Sequence, residues 1–123
     1  MDKKRTANPL FRLAWVLIRQ GKKKLGIKKL KEAHDIEPNN VDVLVKLGEM
    51  LLRNNETADE AERYLQKAVD QDNKHANALI ALGRCKERNE EIDAAIELYE
   101  QAIKLPGNNV HALFYLGVIY NKR

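Results

Sequence analysis

Cysteine is nearly absent from this chain of 123 residues, and the single Cys85 excludes an internal disulfide and fits a reducing compartment. On its own it reads as a small buried hydrophobe rather than a reactive thiol. Long apolar runs are missing too. The longest, Leu13 to Ile18, is six residues held between Arg12 and Arg19, far short of the ~20 that cross a bilayer. The start does not resemble a secretory signal, because Lys3-Lys4-Arg5 leads into an arginine-containing amphipathic stretch with no small-residue cleavage site. The expected compartment is therefore the cytoplasm, with nucleus or cilium as further options. Gly21 and Gly26 lack the strand-and-loop context of a phosphate-binding turn. His34, His75 and His111 fall in different units, and no His, Cys or acidic pair has metal-ligand spacing. No catalytic residue, metal or cofactor is expected, and the reading is non-enzymatic.

Acidic residues are scarce at one end. Residues 1–31 carry eleven Lys or Arg against Asp2 alone, a balance of +10, while the remainder carries eleven basic against seventeen acidic, a balance of −6. Such a field suits nucleic acid, anionic lipid or an acidic surface, although a lysine-rich solvated helix face is the commoner cause. Lys22-Lys23-Lys24 with Lys28, Lys29 and Lys31 form the densest cluster, and no aromatic residue interleaves with them for base stacking, which disfavours nucleic acid.

What the chain does have is a repeat. Leu47-Gly48 returns as Leu82-Gly83 and as Leu116-Gly117, at intervals of 35 and 34 residues, and Leu13-Ala14 lies another 34 upstream. A period of that length with helical patterning means stacked helix-turn-helix pairs rather than one globular core. In the unit from Val41, Leu44, Leu47, Leu51 and Leu52 form a helix stripe, which Asn40 can cap and Asn54-Asn55 can end in a left-handed exit. Thr57 with Glu60 offers a capping box for the returning helix, whose face is Ala61, Leu65, Ala68 and Val69. Gly48 is expected to let the partner helix approach closely, with Ala61 and Ala68 as the facing small surface. Asn8-Pro9 and Gln20-Gly21 bracket the first helix, and Arg88-Asn89 and Pro106-Gly107 bound the second helix of the third unit. The expected organisation is a basic tail over 1–6, repeats over 7–40, 41–75 and 76–109, and a partial repeat over 110–123. Because Leu113, Leu116 and Tyr120 lack a returning helix, the 110–120 helix is expected to continue into further chain or to self-associate.

These residues resemble the tetratricopeptide repeat family. Its pattern places a large apolar residue, Leu, Gly or Ala and a bulky residue on the first helix, then Ala, an aromatic or bulky residue and Ala on the second, with a closing Pro. The first unit matches with Leu10, Leu13, Ala14, Leu17, Leu30, Ala33 and Pro38, but has Gly26 in place of alanine. The second matches with Leu44, Leu47, Gly48, Leu51, Ala61, Leu65 and Ala68 after one inserted residue in its turn, where lengthening is cheap. The third matches with Leu79, Leu82, Gly83, Ala95, Tyr99 and Ala102, departs at Lys86 and brings its proline one residue early as Pro106. The resemblance implies an all-α, right-handed superhelical solenoid of antiparallel helix pairs, about seven helices in all.

It also implies a scaffold for protein binding, whose concave groove is lined by the first helix of each unit and holds a peptide or helix of another protein. The implied groove residues are Phe11, Arg12, Trp15 and Arg19, then Lys46, Glu49 and Arg53, then Asn77, Arg84 and Arg88. Basic groups outnumber acidic ones there, so an acidic segment with apolar anchors is favoured, and Phe11 and Trp15 are the expected hot spots. The chaperone-tail clamp of some relatives would need Lys and Asn where this chain has Phe11 and Trp15, and Lys and Arg where it has Asn77 and Ala81, so that reading is disfavoured. The alternatives are a structural subunit that contacts a large assembly through its outer face, or binding of nucleic acid or an anionic surface through the basic third.

Overall fold

The computed structural model describes residues 7–107 and 109–122; the basic tail over 1–6 lies outside them. Seven α-helices follow one another: α1 (Asn8–Arg19), α2 (Lys23–Ile36), α3 (Val41–Leu52), α4 (Ala58–Gln71), α5 (Ala76–Arg88), α6 (Ile92–Ile103) and α7 (Val110–Lys122), with a short 3₁₀ turn over Asn55–Thr57. The pairs α1/α2, α3/α4 and α5/α6 pack antiparallel, and α2/α3, α4/α5 and α6/α7 join them into a stack. This is an all-α solenoid.

Local chemistry sets most of the helix ends. Pro9 sits in the first turn of α1, where its missing N–H costs nothing, and the chain leaves α1 through Gly21 at φ +83°. The Asn40 carboxamide oxygen accepts from the Val43 N–H at 3.2 Å and caps α3 as expected. Two expectations fail. Thr57 makes no side-chain cap; its hydroxyl donates instead to the Leu51 carbonyl at 2.7 Å, closing the end of α3, and Glu60 lies 3.4 Å from Lys31. Nor do Asn54 and Asn55 turn left-handed. The Asn54 side chain accepts from the Glu56 N–H at 2.9 Å and winds a 3₁₀ turn, so no positive φ is needed there. In the α5–α6 turn, expected at Arg88-Asn89, Glu90 takes a positive φ of 64°.

Packing within each pair depends on a notch. A Cβ added at Gly48 would lie 2.4 Å from Cγ of Leu65, and one at Gly83 would lie 2.6 Å from Cε1 of Tyr99. The bulky residue of the second helix therefore fills the space, rather than Ala61 and Ala68. In the first pair the notch moves to the second helix, where a Cβ at Gly26 would meet Ile18 Cγ1 at 2.6 Å and the Ala14 carbonyl oxygen at 3.2 Å. That explains glycine where alanine is the rule. Leu13 is 42% exposed despite its place in the repeat stripe, whereas its counterparts Leu47 and Leu82 are buried. Both counterparts have a preceding pair packed against them.

Polar contacts tie neighbouring pairs. Glu62 of α4 accepts from Lys86 Nζ and from Asn89 Nδ2, each at 2.8 Å, and Lys86 also reaches Glu91 at 3.7 Å. This accounts for a lysine where a bulky apolar residue is usual. The Tyr99 hydroxyl donates to Glu87 at 2.9 Å, and burial with this bond pushes the phenol far above its usual range. Burial likewise pushes the Cys85 thiol up to about 11, so it stays protonated and unreactive near neutrality.

The notches predict opposite signs for one substitution. Gly83→Ala should cost about 1–3 kcal/mol from overpacking, less up to ~1 kcal/mol regained in helix propensity, whereas Gly117→Ala, with nothing within 4 Å, should be neutral or stabilising; urea unfolding followed by circular dichroism measures both. For Lys86→Met we expect a loss of about 1 kcal/mol, the upper end for a partly exposed pair. The bond to Glu62 raises the Lys86 pKa, so this contribution is present through neutral pH and is lost as pH climbs past the ordinary lysine range.

Candidate functional site

The first helix of each pair and α7 share one face of the stack, and two adjoining hollows run across it. The smaller, about 120 Å³, is lined by Phe11 and Trp15 of α1, Asp42, Val45, Lys46 and Glu49 of α3, and His75 and Asn77. The larger, about 350 Å³, is lined by Glu49 and Arg53, by Asn77, Ile80, Ala81 and Arg84 of α5, and by His111 and Tyr115 of α7. Glu49 and Asn77 border both. These side chains converge because residues three and four apart lie on one side of a helix: Phe11 with Trp15, Lys46 with Glu49 and then Arg53, and Asn77 with Ile80 and then Arg84.

At the aromatic end, Phe11 and Trp15 meet edge to face with centroids 6.3 Å apart, and Lys46 Nζ stands 3.6 Å over the Trp15 ring. Trp15 remains 42% exposed. Partial burial lowers the Lys46 pKa, Arg53 lowers it further, and Glu49 works against both. Along the larger hollow the Arg84 guanidinium lies 5.4 Å from the Tyr115 ring centroid. Glu49 sits between the two, and burial pushes its carboxyl above the usual range although Lys46, Arg53, Arg84 and His75 all pull it down. Desolvation therefore outweighs the attraction of its basic neighbours. His75 closes this site structurally: Nδ1 accepts from the Ala78 N–H at 3.2 Å, capping α5, and Nε2 lies 3.6 Å from Asp42.

Of the groove residues implied by the repeat pattern, the structure brings together Phe11, Trp15, Lys46, Glu49, Arg53, Asn77 and Arg84. Arg12, Arg19 and Arg88 are exposed and line neither hollow; Arg88 hydrogen-bonds Asn55 on the α3–α4 turn. His75 was missed in its capping role. Its place immediately before the Ala76–Arg88 helix is the signal for that role. The basic cluster Lys22, Lys23 and Lys24 is exposed at the α1–α2 turn, away from both hollows. Among the described residues, no group of three or more His, Cys, Asp or Glu is placed to hold a metal ion, and no helix is long and apolar enough to cross a membrane.

Similar proteins share this architecture. The first tetratricopeptide domain of Spaghetti (RPAP3), solved with the HSP90 peptide SRMEEVD, superposes with a TM-score of 0.87 at 21% identity, over 98% of this chain and 94% of that one. YrrB, a tetratricopeptide protein with an unusual peptide-binding site, gives 0.79 at 23% identity, over 92% of this chain and 58% of its own. At such identities the likeness establishes the fold. In sequence, the peroxisomal targeting signal receptor of Yarrowia lipolytica is 37% identical over 75 residues, which make up 61% of this chain and 12% of the receptor. A profile of the tetratricopeptide repeat matches residues 41–106. With three helix pairs stacked at that period, the chain belongs to the tetratricopeptide repeat family.

Proposed function

We propose that the chain is a non-enzymatic interaction module that holds an extended or helical segment of another protein along the two hollows, with an acidic residue of the ligand in the larger one and an apolar residue against Phe11 and Trp15. The observation that carries this reading is the pairing of Arg53 and Arg84 around a half-enclosed hollow in which Glu49 is the one acidic lining residue. A ligand carboxylate there meets two guanidiniums suited to it by geometry. Asn77, between the hollows, offers an amide to the ligand backbone. The peptide complex of the RPAP3 domain and the peptide-binding site of YrrB support a peptide as the class of ligand.

Arg12, Arg19 and Arg88 act at longer range, raising the rate at which an acidic segment arrives. A free acidic tail such as SRMEEVD is a poor fit, because Phe11 and Trp15 stand where the chaperone clamp needs Lys and Asn. An internal acidic residue flanked by apolar ones suits this lining better. The module is expected to work in the cytoplasm.

Fluorescence polarisation with an acidic-apolar peptide library tests the reading. Arg53→Glu and Arg84→Glu should each weaken the best binder about tenfold, roughly 1.4 kcal/mol, while Arg88→Glu should slow association and leave dissociation alone. Failure of every peptide to bind, or affinities indifferent to both hollow-lining reversals, would sink the proposal. RNA binding that falls steeply with salt and vanishes in Lys22→Ala/Lys23→Ala/Lys24→Ala would instead favour the basic third.

Glu49 gives a second prediction. A bound carboxylate nearby raises its pKa further, so binding takes up a proton and tightens as pH falls into the mildly acidic range. The other ionisable groups that line the two hollows are His75, His111, Lys46, Arg53, Arg84 and Asp42. Glu49→Gln should therefore bind several-fold more tightly at neutral pH and show a shallower pH dependence. Equal slopes for the two proteins would refute the role of Glu49.

A further inference from the structure

The larger hollow carries hydrogen-bond donors that the chain itself does not use. Arg53 reaches it from the end of α3, Arg84 from α5 and His111 from α7, beside the buried apolar side chains of Ile80 and Ala81. Among the described residues, none of these three side chains makes a hydrogen bond or an ion pair. Cations elsewhere are engaged: Lys86 bonds Glu62, Arg88 bonds Asn55 and Lys46 stands over Trp15. Even Glu49, which borders the same hollow, forms no ion pair with either arginine.

Arg84 is held in place all the same. Its guanidinium lies 5.4 Å from the Tyr115 ring centroid, and Tyr115 stacks on the buried Tyr99 at 5.6 Å. An aromatic ring, and not an acceptor atom, positions it. We infer that the acidic anchor of the bound segment is a phosphorylated residue, whose phosphoryl oxygens are shared among Arg53, Arg84 and His111. This rests on the groove reading and names the chemistry of its acidic anchor.

Shape and charge both separate a phosphate from a carboxylate here. A carboxylate offers two oxygens in one plane and a single negative charge, whereas a phosphate monoester offers three terminal oxygens and about −1.5 to −2 charges near neutrality. Donors that arrive from three different helices suit the pyramid of oxygens better than the plane. Two guanidiniums spent on no carboxylate of the chain balance a dianion, and their forks match its oxygens bidentately. Glu49 opposes a dianion more than a monoanion, but it is one carboxylate against two guanidiniums and an imidazole.

Fluorescence polarisation with the whole chain and three peptide libraries tests this, the libraries being alike except for a central glutamate, serine or phosphoserine among apolar residues. The phosphoserine library should bind at least about tenfold more tightly than the glutamate one, and the serine library most weakly. His111→Ala, at an exposed position, should keep the circular dichroism spectrum, cut phosphoserine affinity several-fold and leave glutamate affinity as it was. Lys22→Ala/Lys23→Ala/Lys24→Ala should leave the preference for phosphoserine unchanged. Phosphoserine binding no tighter than glutamate overturns the inference and leaves the groove reading standing, whereas silence from all three libraries brings down both. A preference that survives both Arg84→Ala and His111→Ala, or that disappears with the three lysines, puts the phosphate outside this hollow and also overturns it.

Discussion

Glycine on one helix and a bulky side chain on the next set the distance between helices throughout this stack, and the remaining features follow from that spacing. Tyr99 illustrates how far one such contact reaches. Its ring fills the notch at Gly83, its hydroxyl bonds Glu87 of the same helix as Gly83, and its face stacks on Tyr115 of α7. One residue thus fixes α5, α6 and α7 together. Tyr115 and Arg84, both lining the larger hollow, are positioned by the same contact, so the packing on one side of α5 determines the surface on the other.

The repeat was legible because this steric requirement recurs: a helix pair that must approach closely needs a small residue at the same place each time, and Gly48, Gly83 and Gly117 reveal the period directly. Single-residue competitions were not legible. Thr57 and Glu60 have the spacing of a capping box, yet the Leu51 carbonyl, six residues back across the turn, takes the hydroxyl. Lys86 looked like a departure from the pattern until Glu62, 24 residues earlier, supplied its partner. Gly26 looked like another, until Ile18 and the Ala14 carbonyl showed that the close approach had moved to the other helix.

The face of the first helices was readable to the extent that helical spacing alone puts residues together. Phe11 with Trp15, and Lys46 with Glu49, share a face by arithmetic and share a hollow in space. Arg88 shows the limit, because its length and its partner Asn55 take it toward the α3–α4 turn rather than inward. Long charged side chains choose among partners that only the tertiary structure provides. His75 shows the converse: a ring next to a helix start can serve as its cap, and capping, not ligation, orients it toward Asp42.

Charge along the groove is more selective than a count of basic residues suggests. Lys46 is not free to meet a ligand, since its ammonium already stands 3.6 Å over the Trp15 ring and next to Glu49. An incoming acidic group would have to draw it off the tryptophan, losing a cation–π contact of about 0.5–1 kcal/mol at such a partly exposed site. Arg53 and Arg84 face a weaker claim. Their shared carboxylate neighbour, Glu49, is the one acidic residue lining that hollow, a single carboxylate against two guanidiniums. An anionic ligand group therefore gains more at the larger hollow, and an apolar one more against Phe11 and the open part of Trp15, where the aromatic surface is bare and no ion pair has to break.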